Sequence, residues 1–101
     1  MAVTIECEDT RLSAFIKGEI DHHVSVGIRQ EIDRAIQRNN PKTLVLDFSG
    51  VSFMDSSGIG LVMGRYKKMT MLGGKVRVEN APAHIKKVMK IAGLSSLVSI
   101  Q

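Results

Sequence analysis

The middle of the chain reads Thr43-Leu-Val-Leu-Asp-Phe48 and continues as Ser49-Gly-Val-Ser-Phe-Met-Asp-Ser-Ser-Gly58. Its first six residues form an aliphatic run bounded by turn residues, which is typical of a central strand buried on both faces. A predicted helix follows and ends at Gly73-Gly74. Its apolar stripe consists of Ile59, Val62, Met63, Tyr66 and Met69. Asp55, Ser56 and Ser57 are therefore predicted on the turn at a helix N-terminus, where outward N–H groups and the helix dipole favour negative charge.

The residues before this stretch predict a hairpin and a helix. Residues 3–7 and 12–16 alternate apolar and polar side chains around a turn at Glu8-Asp9-Thr10, a pattern typical of two antiparallel strands. Residues 18–21 are then expected to form a loop. The next segment is predicted as a helix that ends at Asn39-Asn40-Pro41, with an apolar stripe of Val24, Ile28, Ile32, Ala35 and Ile36.

The residues after it continue the alternation of strand and helix. Lys75–Glu79 is a predicted strand, Ala81-Pro82 opens a helix that Gly93 ends, and residues 97–100 form a last short strand. The expected inner face of that helix consists of Ile85, Val88, Met89 and Ala92. Right-handed crossovers then give a single α/β domain over residues 1–101, with a mostly parallel mixed sheet, an N-terminal antiparallel hairpin and helices packed on it.

Composition narrows the class of protein. The chain has 101 residues, of which 44% are hydrophobic and 24% charged, as in an ordinary globular domain. We expect no membrane association, because there is no apolar run of roughly 20 residues and no signal-peptide layout. Cys7 is the single cysteine, so a reducing cytoplasm is the expected location. Despite the net charge of +4, one Tyr, three Phe and scattered basic residues argue against nucleic-acid binding.

Two predicted loops meet at one end of the sheet. Residues 18–21 and the turn at residues 55–58 both follow strands, and function gathers at the carboxyl ends of strands in open sheets. We therefore expect the Gly18–Asp21 loop and the Asp55–Gly58 turn to be neighbours in space. A serine at the turn can carry a phosphate without breaking the fold, although Asp55, Ser56 and Ser57 also suit a plain helix N-cap. The two roles are compatible.

Several other side chains allow two interpretations. Gly58 and Gly60 either let the helix pack closely on its strand or keep a partner-facing surface bare, and Gly64 fits the second alternative. Asp21 is placed to cap the helix at Val24, three residues later. Neighbouring histidines, His22 and His23, lack a third ligand at useful spacing, so neither a metal nor a cofactor is expected.

Catalysis finds little support in the motifs. A nucleophile elbow needs glycines two residues on either side of the serine, whereas Ser57 is flanked at that spacing by Asp55 and Ile59. The glycines at Gly58, Gly60 and Gly64 miss the dinucleotide-binding spacing by one residue, and the lysine of a phosphate-binding loop is missing. The chain is therefore interpreted as a binding protein rather than an enzyme.

Four segments carry a family resemblance: Gly18-Glu-Ile-Asp-His-His23, Phe53-Met-Asp-Ser-Ser-Gly-Ile-Gly60, Gly64-Arg-Tyr-Lys67 and Ala92-Gly-Leu94. Together they resemble the STAS-domain anti-sigma factor antagonists, in particular the sporulation branch that acts in the sigma-F switch. The resemblance extends from residue 3 to about residue 100. Asp21-His22-His23 separates this branch from the general stress-response one.

This resemblance implies a regulatory cycle. Members of the family bind an anti-sigma factor that is also a serine kinase, and so free the sigma factor for transcription. The kinase inactivates the antagonist by phosphorylating the serine that directly follows the motif Asp, which is Ser56 here, and a serine phosphatase restores it. The family's Gly-Glu-Leu-Asp loop lies beside that serine, and its Asp matches Asp21. Members often continue into another C-terminal helix, whose place would be near the sheet edge at Leu97.

The expected partner surface joins the two loops and the start of the following helix. Its residues are Asp21, His22, Asp55, Ser56, Ser57, Gly58, Gly60, Leu61 and Gly64. The protein is expected to act as a cytoplasmic monomer. Two alternatives stay open: a STAS module for another regulatory partner, such as a general stress kinase, and a small hydrolase or transferase that uses Ser57.

Overall fold

The computed structural model describes residues 2–101. In that part of the chain it contains five strands, three α-helices and a 3₁₀ turn. The order of elements is β1 (Val3–Glu8), β2 (Arg11–Ile20), α1 (His22–Asn39), β3 (Thr43–Met54), α2 (Ser56–Met71), β4 (Lys75–Glu79), α3 (Ala83–Ile91), the 3₁₀ turn (Leu94–Ser96) and β5 (Ser99–Ile100).

The five strands form one sheet in the order β1-β2-β3-β4-β5. β1 and β2 pair antiparallel, as the alternating pattern predicts, and each of the other neighbouring pairs is parallel. The predicted α/β class and the mostly parallel mixed sheet with an N-terminal hairpin are therefore confirmed. α1 and α2 contact each other and pack on the sheet, and α3 contacts β3.

The core lies between one face of the sheet and the helices. Leu12, Ala14 and Ile16 of β2 point into it at every second position, and Leu44 and Leu46 of β3 lie beside them in register. Four of the five residues in the predicted stripe of α1 are buried, namely Ile28, Ile32, Ala35 and Ile36, whereas Val24 in the first turn is only partly buried. Asn40 ends α1 in a left-handed conformation (φ 46°) and donates its N–H to the Ile36 carbonyl at 2.8 Å.

Both strands that lead to the predicted loops are longer than expected. Residues 18–20 belong to β2 rather than to a loop, and β3 continues past Phe48 to Met54. Ile20 pairs with Met54 at the last position of both strands. Both side chains are buried, and this burial stabilises the pairing up to that position. The register shifts beside Gly18, whose φ of +95° suits glycine. The loop prediction was wrong because a bulge interrupts the simple alternation there.

The buried face of α2 is rotated relative to the predicted stripe. Its buried residues are Gly58, Leu61, Val62, Arg65 and Met69, whereas Ile59, Met63 and Tyr66 are only partly buried. This rotation follows from contact with α1, which the residues of α2 alone do not specify. It places Leu61, which the sequence assigns to the partner surface, largely in the core with 4% of its surface exposed.

The C-terminal elements differ in two respects from expectation. Only Ile85 and Met89 of α3 are buried, and Val88 is 42% exposed, because a helix of nine residues presents a narrow face to the core. Ala92 lies past the end of α3 and is exposed, so it does not line the inner face. The last strand covers only residues 99 and 100, and Leu97 before it is exposed. None of the helices in residues 2–101 has the length and apolar composition of a membrane span.

Candidate functional site

Asp55 organises the turn between β3 and α2. Its backbone is extended, and its Oδ1 accepts the N–H of Ser57 at 2.8 Å, which caps the first turn of α2. The same oxygen accepts the Ser57 hydroxyl at 2.5 Å. The predicted helix cap is therefore confirmed. Ser57 is half-buried, and its hydroxyl proton is held by the carboxylate.

Ser56 is placed differently from its neighbour. It is the first residue of α2, and its side chain is exposed. Its hydroxyl makes no hydrogen bond to any residue in 2–101. At this end of the helix the unpaired N–H groups carry partial positive charge. The turn therefore offers one accessible hydroxyl at a site that stabilises added negative charge.

The end of β2 with Asp21 and the turn at Asp55 are neighbours, as the topology suggests. Asp55 donates its N–H to the carbonyl of Ile20 at 3.1 Å, which joins the end of β2 to the start of α2. Asp21 follows directly and caps α1, because its Oδ1 accepts the N–H of Val24 at 2.8 Å. Asp21 and His22 are both exposed beside the Asp55 turn. The structure thus brings the first helix cap and the second together at one edge of the sheet.

Hydrogen bonding keeps Asp55 ionised. The Ser57 hydroxyl, and then the Ser57 N–H, lower the pKa of the Asp55 carboxyl below its ordinary value, whereas burial acts in the opposite direction. The nearby charge of His22 lowers this pKa further. At neutral pH a full negative charge therefore lies one residue away from the Ser56 hydroxyl.

The glycines of α2 divide between the two interpretations. Gly58 is buried, and a Cβ built on it would lie 2.6 Å from Sδ of Met54, so Gly58 permits close packing of α2 on β3. A Cβ on Gly60 or on Gly64 would meet no atom within 4 Å. Those two glycines therefore leave the surface of α2 bare without serving the core.

A groove between α1 and α2 begins at this turn. Its volume is about 260 Å³, and its lining residues are His22, Ser25, Val26, Arg29, Ser57, Gly60 and Leu61. Leu61 thus reaches the predicted surface only as the floor of the groove. Sequence reasoning missed Ser25, Val26 and Arg29, because an exposed helical position gives no signal of which neighbour it faces.

A buried ion pair joins the two helices that form the groove. Nε of Arg65 lies 2.9 Å from Oδ1 of Asp33, and the Arg65 side chain is only 7% exposed. Burial lowers the pKa of the Arg65 guanidinium and Arg29 lowers it further, while Asp33 opposes both effects. Nη1 of Arg65 is buried with no hydrogen-bond partner in residues 2–101. The apolar stripe predicted for α2 does not include Arg65, so the sequence did not indicate that this arginine is buried.

The remaining histidines are not gathered at the site. His23 is exposed on the first turn of α1. His84 lies at the start of α3, and its Nε2 is 2.8 Å from the carbonyl oxygen of Ser52 in β3. Within residues 2–101, His, Cys, Asp and Glu side chains form no group of three that could hold a metal ion. The polar groups of the turn instead make helix caps.

Comparison with known proteins identifies the family. The STAS domain family matches residues 3–101. The anti-sigma F factor antagonist of Paenibacillus polymyxa is 36% identical over 102 residues, which cover 99% of this chain and 87% of the relative. Structures of the Bacillus anti-sigma factor antagonist SpoIIAA are also similar. Its unphosphorylated form has a TM-score of 0.85 at 32% identity, covering 99% of this chain and 88% of that one. Its phosphorylated form has a TM-score of 0.78 at 32% identity, covering 99% and 91%. The chain therefore belongs to the STAS domain family.

Proposed function

We propose that this protein is a phosphorylation-gated antagonist of an anti-sigma factor that is also a serine kinase. In its unphosphorylated form it binds that kinase in the cytoplasm and releases the sigma factor. Phosphorylation of Ser56 ends the binding, and a serine phosphatase restores it. The names of its relatives support the regulatory class. The observation that carries the proposal is the exposed hydroxyl of Ser56 at the start of α2, beside the ionised Asp55.

The fold tolerates a phosphate at Ser56. The modification adds roughly −1.5 to −2 charges and three acceptor oxygens at the N-terminus of α2. A negative charge at a helix N-terminus usually stabilises by about 0.3–1 kcal/mol. Repulsion from Asp55 offsets part of this gain. The net effect on stability is therefore below about 1 kcal/mol, and we expect the phosphorylated protein to keep its structure.

A bound partner meets a larger penalty. Like charges brought together at an interface cost several kcal/mol, and about 2.7 kcal/mol already lowers affinity roughly a hundredfold. The phosphate would also occupy space next to the groove between α1 and α2. Binding is thus lost while the domain remains folded. This separation between binding and stability is what a reversible switch requires.

The hydrogen bonds of the turn favour Ser56 over Ser57 as the phosphate acceptor. The Ser57 hydroxyl donates to Asp55 and is half-buried, so a kinase would have to break that bond and expose the side chain. The Ser56 hydroxyl faces solvent without such a bond. Ser57 acts instead by orienting and ionising the Asp55 carboxylate.

The test uses four proteins: the wild type and the variants Ser56→Ala, Ser56→Asp and Ser57→Ala. Each is incubated with the anti-sigma factor kinase and ATP, and the intact mass and the modified residue are determined. We expect one phosphate on the wild type and on Ser57→Ala, and none on Ser56→Ala. Phosphorylation of Ser56→Ala to the level of the wild type would refute the assignment.

Binding and stability are measured on the same proteins. Ser56→Ala should retain affinity for the kinase, whereas Ser56→Asp should lose it with a midpoint of thermal unfolding close to that of the wild type. Release of the sigma factor from its complex is followed by size-exclusion chromatography. Turnover of a small acyl or phosphoryl substrate by the protein alone, abolished in Ser57→Ala, would instead support the enzymatic alternative.

A further inference from the structure

The groove between α1 and α2 is continuous with the proposed phosphorylation site. Ser57 and Gly60 form its wall on the α2 side, and Ser56 precedes them directly. On the α1 side the lining residues recur at helical spacing, from His22 through Val26 to Arg29. A partner bound at Ser56 therefore meets this groove next, and the second turn of α1 becomes part of the surface.

Arg29 leaves an uncompensated positive charge at the far end of the groove. Its side chain is exposed, and no carboxylate in residues 2–101 lies within 4.0 Å of its guanidinium. Asp33 is the acid one turn further along α1, but it pairs with Arg65. Arg65 also acts on Arg29 as a like charge. Arg29 therefore gains from any anion that enters the groove.

The rest of the groove is not suited to a free anion alone. Val26, which is 37% exposed, lines the groove from α1, Gly60 lines it from α2 without a side chain, and the nearly buried Leu61 also contributes to the lining. This combination of an apolar channel and one terminal cation fits a peptide segment that carries an aliphatic side chain followed by a carboxylate. The ionised Asp55 at the opposite end disfavours a second negative charge there.

We propose that the groove between α1 and α2 receives an acidic segment of the anti-sigma factor kinase, with a partner carboxylate paired to Arg29. This inference rests on the proposed function and extends the docking surface to a residue that the sequence did not indicate. Phosphorylation of Ser56 would then weaken binding in the groove as well as at the turn. A phosphate on Ser56 places its charge at the mouth of the groove, where it repels the acidic segment that Arg29 attracts.

The experiment compares Arg29→Gln with Arg34→Gln. Both variants remove one positive charge from α1, but the Arg34 side chain is 64% exposed and pairs with Glu31 at 3.2 Å, outside the groove. Affinity for the kinase is measured by calorimetry at about 50 and about 200 mM salt, over which a screened charge pair weakens. Arg29→Gln should lose about tenfold or more in affinity at low salt, and its affinity should depend less on salt. Arg34→Gln should stay within about twofold of the wild type.

The possible outcomes separate this inference from the proposed function. No binding of the wild type to the kinase would defeat the proposed function itself. Normal binding of Arg29→Gln, or equal losses in both variants, would overturn only the role of Arg29. A loss with unchanged salt dependence would overturn the charge pairing. If the wild type bound ADP alone and Arg29→Gln did not, the occupant would be a nucleotide phosphate and the peptide proposal would be wrong.

A charge-reversal pair identifies the partner residue. Arg29→Glu is combined with single Asp→Lys or Glu→Lys variants of the kinase. Recovery of at least about tenfold in affinity in one combination, relative to Arg29→Glu with the unmodified kinase, supports direct contact. Absence of recovery across all acidic residues on the kinase surface would contradict it.

Discussion

A substitution at Gly60 tests whether the bare surface of α2 serves partner binding at the expense of the stability of the fold. Gly60 lies inside α2 and is exposed, and a Cβ added to it would meet no atom within 4 Å. Replacing an exposed helical glycine by alanine stabilises a helix by about 0.8–1 kcal/mol. For a domain of this size that gain raises the midpoint of thermal unfolding by roughly 4–8 °C. Gly60→Ala should therefore be more stable than the wild type.

The same methyl group should weaken the complex. Gly60 lines the groove beside Ser57, so the new Cβ would take space that a docked segment needs. Forcing extra volume into a close-packed contact costs about 1–3 kcal/mol, which corresponds to roughly a 5- to 150-fold loss of affinity. The assay combines thermal unfolding with calorimetric titration of the kinase.

Gly27 provides the matched control. It lies inside α1, is exposed and has no atom within 4 Å of a built Cβ, but it does not line the groove. Gly27→Ala should gain a similar amount of stability and keep the affinity of the wild type. If Gly60→Ala bound the kinase as tightly as Gly27→Ala, a functional reason for the bare surface would be refuted. If both variants melted below the wild type, the assignment of open space would be wrong.

Two predictions concern the stability of the fold. Asp33→Asn leaves the Arg65 cation buried without its counter-ion, so it should lower the free energy of unfolding, measured in urea, by about 2–3 kcal/mol. This loss is smaller than for a fully buried ion pair, because the Asp33 side chain is 27% exposed. Arg65→Met removes the buried charge and keeps the volume, so it should cost about 1 kcal/mol or less, and the reverse ranking would contradict the argument. Burial raises the pKa of Asp47, but hydrogen bonds from Ser49 and Asn80 outweigh it and hold the pKa below its ordinary value of 3.8. A lowered pKa stabilises above the unfolded-state value and loses its effect as pH falls through the folded-state value, so the stability difference between wild type and Asp47→Asn should shrink below about pH 4. A difference that is constant down to about pH 2.5 would refute this.

Local rules accounted for the features that depend on a few neighbouring residues. Asp21 and Asp55 were predicted as helix caps, because a carboxylate two or three residues before a backbone N–H is enough to make that bond. The closeness of the two caps followed from sheet topology, since parallel strands end at the same edge. The roles of Ser56 and Asp21 in partner binding came from a family resemblance and stay predictions.

Features that depend on the packing of two helices were not predictable in this way. Arg65 and Asp33 are far apart in sequence, and a charged residue on a helix is usually solvated, so nothing local marks this pair as buried. The same contact between helices rotates the buried face of α2 and moves Leu61 into the core. The groove and Arg29 became visible only when both helices were placed.

The hydrogen bond from the Asp55 N–H to the Ile20 carbonyl has a consequence for how related regulators diverge. It fixes the spacing of the two caps through main-chain atoms, which any residue except proline at position 55 supplies. Under the proposed function, substitutions at positions 22 and 29 would therefore change which kinase is recognised, while Asp21, Asp55 and the acceptor Ser56 keep their places and the distance between the caps stays constant. If the proposed switch operates in this way, paralogous switches in one cell would acquire separate partners by point substitution, without having to evolve a new scaffold.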